Sequence, residues 1–144
     1  MKAVVKWLDN KTFVGESGSG HCVVMDGPES AGGQNIGVRP MEMLLLGIGG
    51  CASFDVISIL QKSRQLVNDC HVTLKATRAD TVPAVFTDIH VAFDVWGDAL
   101  NATQVARAVE LTTTKYCSAS IMMQAAKVNI THNFTIHNTG DINA

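Results

Sequence analysis

Two cysteines have the setting that thiol chemistry requires. Cys51 lies within residues 41–60, a stretch that is apolar on nearly every side and predicts a buried helix. Cys117 follows much later, close to Lys115, where we expect another helix to begin. A helix N-terminus and a neighbouring cation both lower the pKa of a thiol, which favours a reactive Cys117. The pair is therefore either inert packing or a two-cysteine redox site.

The other two cysteines predict packing. Cys22 and Cys70 fall on the inward faces of predicted strands, where a free thiol behaves as a small hydrophobic group. No cysteine pair has the spacing of metal ligands, and His21 and His71 point away from the cysteines beside them on a strand. We therefore expect no metal and no cofactor. In a reducing cytoplasm, a disulfide among these thiols would be transient and catalytic.

Three charged residues stand near Cys51 in the sequence. Arg39 and Glu42 flank the start of the long helix, where a cation could lower the pKa of a thiol and a carboxylate could hold that cation in place. The alternative is a surface ion pair at a helix start. Asp55 follows Cys51 by one helical turn on the same face. We expect Asp55 to be turned toward a partner such as a lysine or a main-chain group.

The residues around Cys51 leave room for a neighbour or a substrate. Gly47, Gly49 and Gly50 cost about 1 kcal/mol each relative to alanine inside a helix, so another backbone should approach closely there. We expect a second helix, such as the same helix of a partner subunit. Apolar walls would suit a ligand with an apolar body, although such residues are more often plain core packing. The wall residues are expected to be Leu44, Ile48, Phe54, Met122 and Met123.

Composition narrows the class of protein. The chain has 144 residues, which predicts a single domain over residues 1–144. Hydrophobic residues make up 47% and charged residues 17%, so we expect a homo-oligomer that buries the remaining apolar surface. A formal net charge of −2 without a Lys/Arg cluster excludes nucleic acid and anionic membranes as main partners. The first residues predict a strand and not a secretory signal, which favours the cytoplasm.

The hydrophobic periodicity predicts an α+β fold, with antiparallel sheets packed over a long central helix. The helix is expected over residues 41–64; it has the length of a membrane span but contains Glu42, Asp55 and three glycines, which favours a buried soluble helix. Asn101 is the expected N-cap of a helix through Leu111, and a last helix should start near Cys117. Apolar alternation predicts strands over residues 3–8, 12–14, 22–25, 70–77, 85–95 and 129–137.

Four segments together resemble one protein family. They are RPMEMLL at residues 39–45, GGC ending at Cys51, VPAVF at residues 82–86 and KYCS at residues 115–118. In this order they are similar to the OsmC/Ohr family, the osmotically induced and organic hydroperoxide resistance proteins, and most similar to its OsmC-like subgroup. The resemblance implies an intertwined homodimer of α+β subunits with two active sites at the subunit interface. It also implies thiol peroxidase chemistry on organic hydroperoxides.

The resemblance further implies roles for individual residues. Cys51 would be the attacking thiolate, Cys117 the resolving thiol, and Arg39 with Glu42 the activating pair. The better-studied members place their carboxylate ten residues before the first cysteine, where this chain has Met41, and take their arginine from the N-terminal strands. Glu42 precedes Cys51 by nine residues, about 180° around a continuous helix. We therefore expect Glu42 to assist only if the helix begins after it or is distorted at the glycines.

Two functions are open at this point. The leading hypothesis is reduction of organic hydroperoxides, in which Cys51 becomes a sulfenic acid and condenses with Cys117 to a disulfide. A dithiol reductant must then restore both thiols. The alternative is a non-enzymatic dimeric stress protein or small-ligand binder with a slow redox-sensing cysteine pair.

Overall fold

The strands pair into two separate three-stranded sheets, one in each part of the chain. The computed structural model describes residues 1–140, which divide into two units, Met1–Leu46 and the part from Gly47 onward. The strands of each unit pair only with one another, and helices accompany the second sheet. The α+β class predicted from the sequence is confirmed.

The first sheet is an antiparallel meander, as the apolar alternation predicted. Strands β1 (Ala3–Asp9), β2 (Thr12–Ser17) and β3 (Cys22–Met25) pair in that order. Asn10, in the turn after β1, has the positive φ of 45° that asparagine tolerates better than most residues. Cys22 is exposed, so its predicted core position was wrong. Alternation separates the two faces of a strand, but it does not tell which face is covered.

One uninterrupted helix, α1 (Pro40–Lys62), crosses the middle of the sequence. Pro40 stands at its first position, where the missing N–H costs no hydrogen bond. The most apolar window has a mean hydropathy of 2.0, and 28% of it is buried. Length and composition alone would allow such a helix to span a membrane, and core helices of soluble proteins meet the same test. The buried residues recur at helical spacing: Ile48, Gly49, Ala52, Val56 and Leu60.

Gly49 allows α1 to lie close to the second sheet. A Cβ atom at Gly49 would stand 2.7 Å from Cδ1 of Leu74, a residue of strand β4 (Leu66–Arg78). Gly47 and Gly50 face open space, with nothing within 4 Å of such an atom among the described residues. The close approach expected at the glycines is therefore made by a strand at Gly49. A helix crossing at Gly47 and Gly50 stays a prediction.

The second sheet has the order β4-β5-β6, with β5 (Phe86–Asp98) in its centre. Strand β6 (Asn129–His137) is parallel to β5, so this sheet is mixed and not antiparallel throughout as predicted. An irregularity in the pairing near Thr87 shifts the buried face by one residue. Alternation over residues 85–95 predicts Val85 and Thr87 on the buried face with Ile89, which was wrong, since Val85 is 54% exposed and Thr87 is not buried. The core side chains of β5 are Phe86, Ile89, Val91, Phe93 and Val95.

Two helices connect β5 to β6, because parallel strands need a crossover. Asn101 is the N-cap of helix α2 (Ala102–Leu111), as predicted. Its Oδ1 accepts hydrogen bonds from the main-chain N–H groups of Thr103 and Gln104. A π-helical turn (Thr112–Tyr116) follows, and helix α3 (Ser118–Ala125) ends the crossover. Cys117 lies between the turn and α3 as the N-cap of α3, which confirms the predicted helix start.

Candidate active site

The structure brings together the two cysteines that the sequence paired. Cys51 lies in α1 and Cys117 at the start of α3, and both belong to the second unit. Their sulfur atoms and a carboxylate oxygen of Asp55 all lie within 4.8 Å of one another. Both thiols are free. A movement of a few ångströms would bring the two sulfurs to bonding distance, which is about 2 Å in a disulfide.

The two thiols differ in their access to solvent. Cys51 is half-buried, whereas Cys117 is 0% exposed. Cys51 is therefore the more exposed residue of the two, and Cys117 is closed to solvent. This difference separates an attacking thiol from a resolving thiol.

The surroundings of Cys117 keep its thiol protonated. Burial raises the pKa of Cys117, and nearby Cys51 adds to this effect, while Ser120 opposes it. The Ser120 hydroxyl donates to the Cys117 sulfur at 3.2 Å. The prediction that the helix start and Lys115 would lower this pKa was wrong, because loss of hydration outweighs them. Lys115 instead lies over the Tyr116 ring, with Nζ 5.5 Å from the ring centroid.

Asp55 is the site residue that sequence reasoning did not assign. It is half-buried and lies one helical turn after Cys51. Over residues 1–140 it has no ion pair and no hydrogen-bond partner, so the lysine or main-chain partner expected for it is not found. The spacing from Cys51 to Asp55 was visible in the sequence. The approach of Asp55 to Cys117 depends on the fold.

Arg39 and Glu42 form a helix cap in the first unit. The Glu42 carboxylate accepts a hydrogen bond from the main-chain N–H of Arg39 at 2.8 Å. The Arg39 guanidinium donates to Asn35 Oδ1 at 2.7 Å and to the Gly37 carbonyl at 3.1 Å. Glu42 therefore fixes the main chain at the N-cap of α1. The expectation that its carboxylate would hold the Arg39 guanidinium was wrong. Assistance to Cys51 from Glu42 required that the helix begin after Glu42 or be distorted at the glycines. Helix α1 begins at Pro40 and stays regular through the glycines, so neither requirement is met.

A groove of about 440 Å³ is lined in part by Asp55, but neither Cys51 nor Cys117 lines it. The predicted apolar wall residues do not line this groove. Ile48 is 1% exposed and belongs to the core, whereas Phe54 is 74% and Met122 70% exposed. The groove is lined by Asp55, Ser58, Ile59, Lys62, Ser63, Gln104, Arg107, Leu111 and Tyr116.

Comparison with known proteins identifies the family. A family model described as OsmC-like protein matches residues 32–133. The chain belongs to the OsmC-like family. Protein YhfA of Escherichia coli (strain K12) is 47% identical over 136 residues, which are 94% of this chain and 98% of YhfA. The family membership that the four segments suggested is thereby confirmed.

Solved structures share the fold of this OsmC-like protein. A hypothetical protein from Aquifex aeolicus VF5 is 28% identical, with a TM-score of 0.82 over 95% of this chain and 96% of that chain. An organic hydroperoxide resistance protein from Elizabethkingia anophelis is 18% identical, with a TM-score of 0.65 over 95% and 94% of the two chains. The predicted OsmC-like fold is confirmed.

Proposed function

We propose that this OsmC-like protein is a thiol-dependent peroxidase that reduces organic hydroperoxides. The observation that carries the proposal is the approach of Cys51, Cys117 and Asp55 within 4.8 Å. A protein of the same fold is an organic hydroperoxide resistance protein, which supports a stress-related, antioxidant role.

Cys51 takes the first step, because it is the more exposed residue of the pair. Its thiolate attacks the distal oxygen of the hydroperoxide, and the O–O bond breaks. The organic oxygen takes a proton and leaves as an alcohol, while Cys51 becomes a sulfenic acid. The enzyme thiol is oxidised and the hydroperoxide is reduced by two electrons.

Cys117 takes the second step from its buried position. Its sulfur attacks the Cys51 sulfur, the S–O bond breaks, and hydroxide leaves with the Cys117 proton as water. The Asp55 carboxylate lies within 4.8 Å of both sulfurs, where it can accept that proton and pass it to the leaving hydroxide. A dithiol reductant then reduces the disulfide by thiol exchange and restores the enzyme.

The groove beside Asp55 supports an organic substrate over hydrogen peroxide. Ile59 and Leu111 provide apolar surface, and Lys62 and Arg107 provide positive charge. This combination suits a hydroperoxide with an apolar body and an acidic group. Replacement of Arg107 by Gln should raise the KM for an acidic hydroperoxide and leave the KM for a neutral aryl hydroperoxide nearly unchanged.

The proposal includes a cytoplasmic homodimer. Large apolar side chains remain exposed on the isolated chain, among them Phe54 of α1 and Trp7 of β1, and a partner subunit would cover such surface. Arg39 retains the activating role that the family resemblance implies, with Glu42 fixing its main chain. Arg39→Ala should then slow the oxidation of Cys51 and leave the dimer intact.

Hydroperoxide consumption by the reduced protein, with a dithiol present, tests the proposal. Cys51→Ser should abolish turnover. In the absence of the dithiol, Cys117→Ser should permit one reaction per chain and leave a sulfenic acid that a dimedone probe traps. Cys22→Ser is the matched control, because it removes an exposed thiol that has no part in the pair.

Two outcomes would overturn the assignment. Full activity in Cys51→Ser would show that this thiol is not the attacking one. An absence of turnover in the unaltered protein, together with binding of small apolar ligands, would favour the non-enzymatic alternative.

A further inference from the structure

We propose, contrary to the expectation of no metal that the cysteine spacing suggested, that Cys51, Asp55 and Cys117 form a binding site for a thiophilic divalent ion such as Zn²⁺. The three side chains offer two sulfur atoms and one carboxylate oxygen within 4.8 Å. The binding itself is independent of the proposed peroxidase activity, although it uses the same thiols.

The spacing of the donor atoms suits a tetrahedral ion after a small closure. Zinc binds sulfur at about 2.3 Å and carboxylate oxygen at about 2.0–2.2 Å, which places tetrahedral ligands roughly 3.6–3.8 Å apart. The three atoms therefore need to approach by about 1.2 Å at most. Cys51 and Asp55 lie one turn apart on α1, the same i,i+4 spacing that places two ligands on one face of other metal-binding helices. Cys117 supplies the third ligand from the start of α3.

The chemistry of the donors selects the class of ion. Two thiolates favour zinc and other thiophilic ions over Mg²⁺ and Ca²⁺, which prefer all-oxygen sites. Asp55 has no competing ion pair within residues 1–140, so its carboxylate is free to bind. The Ser120 hydroxyl, 3.2 Å from the Cys117 sulfur, supports that ligand from outside the site. The half-exposed side at Cys51 leaves a fourth position for water.

Metal binding and thiol oxidation would exclude each other. Binding deprotonates both thiols and withdraws their sulfurs from the hydroperoxide. In the reverse direction, one hydroperoxide, two bound thiolates and two protons yield an alcohol, water and the Cys51–Cys117 disulfide, and the ion leaves. This reciprocal step rests on the proposed function; the binding step does not.

Titration of the reduced, tag-free protein with Co²⁺ under anaerobic conditions tests the site. We expect one ion per chain, with the sulfur-to-cobalt charge-transfer band and the visible bands of tetrahedral cobalt, all displaced by Zn²⁺. Cys51→Ser, Cys117→Ser and the nearly isosteric Asp55→Asn should each lower the affinity about tenfold or more, since each removes a ligand. Cys70→Ser and Asp80→Asn are the controls and should bind as the unaltered protein does.

Specific results would overturn the site. Unchanged affinity in Asp55→Asn would show adventitious binding by two thiols only, and an unchanged cobalt spectrum in either cysteine variant would place the ion elsewhere. The peroxidase assay uses metal-free protein with a chelator, and the cobalt titration uses no hydroperoxide. The two proposals can therefore fail separately.

Discussion

Oxidation by one equivalent of an organic hydroperoxide should stabilise the fold as well as remove two thiols. A bond between Cys51 and Cys117 closes a loop of roughly 67 residues. The loss of loop entropy in the unfolded chain corresponds to about 4 kcal/mol for a loop of that length. Because the sulfurs start within 4.8 Å, we expect little native-state strain to offset this gain.

Thermal unfolding of the reduced and oxidised protein measures the effect. For a chain of this size, 4 kcal/mol corresponds to a rise in Tm of roughly 8–16 °C. Peptide mapping of the oxidised sample should show the Cys51–Cys117 bridge within one chain and two remaining free thiols. Cys117→Ser, treated in the same way, should show no rise, whereas Cys70→Ser should show the full rise.

Two results would refute this reasoning. A bridge to Cys22 or Cys70, or four thiols that stay free, would exclude the two-cysteine mechanism. A mapped Cys51–Cys117 bridge without a rise in Tm would show that the bond distorts the native fold by as much as it restrains the unfolded chain.

The remaining predictions concern reactivity, packing and assembly. Burial, with Asp69 and Asp94 nearby, raises the pKa of Cys70 to about 11. At pH 8 about one Cys70 thiol in a thousand is then ionised, so its alkylation should be about two hundredfold slower than that of an ordinary exposed thiol. This pKa exceeds that of a cysteine in the unfolded chain, so Cys70 makes its full contribution to the free energy of unfolding below about pH 8.5 and loses it as the pH rises through 11. Chemical denaturation at several pH values would measure this loss. The burial that raises the pKa of Cys117 predicts that decay of the Cys51 sulfenic acid accelerates from pH 7 to pH 9; a flat profile in stopped-flow would contradict it. Gly49→Val should destabilise the fold by about 1–3 kcal/mol through its clash with β4, whereas Gly50→Ala should stabilise the chain by about 1 kcal/mol unless a partner helix crosses there. Sedimentation at micromolar concentration should show a homodimer, and a stable monomer would contradict the interface argued from composition.

The secondary structure was predictable from local patterns. Strands β3 and β6 run over the residues that apolar alternation indicated, and α1 ends two residues before its predicted limit. Asn101 caps α2 because the oxygen of its short side chain reaches the free N–H groups of the first helical turn. These features depend on neighbouring residues, which a sequence displays directly.

Features set by tertiary contacts were not predictable. Alternation could not show that the face of β3 with Cys22 stays uncovered, nor that an extra residue near Thr87 shifts the buried face of β5. The pKa of Cys117 was assigned the wrong direction, because a helix start and a cation are visible in the sequence whereas burial is not. The sequence left open whether Cys51 and Cys117 are inert packing or a redox pair, and only the fold places their sulfurs together.

The position of Asp55 accounts for how this site could work without the carboxylate that better-studied family members place ten residues before the first cysteine. Met41 occupies that position here, and Glu42 is used to cap α1. Asp55 follows Cys51 on α1 instead of preceding it, and its carboxylate lies within 4.8 Å of both sulfurs. Under the two proposals, a carboxylate there serves as a proton acceptor for Cys117 or as a hard ligand for a bound ion. Asp55→Asn therefore separates these roles: slower resolution with unchanged metal affinity assigns Asp55 to proton transfer, and the reverse result assigns it to the metal.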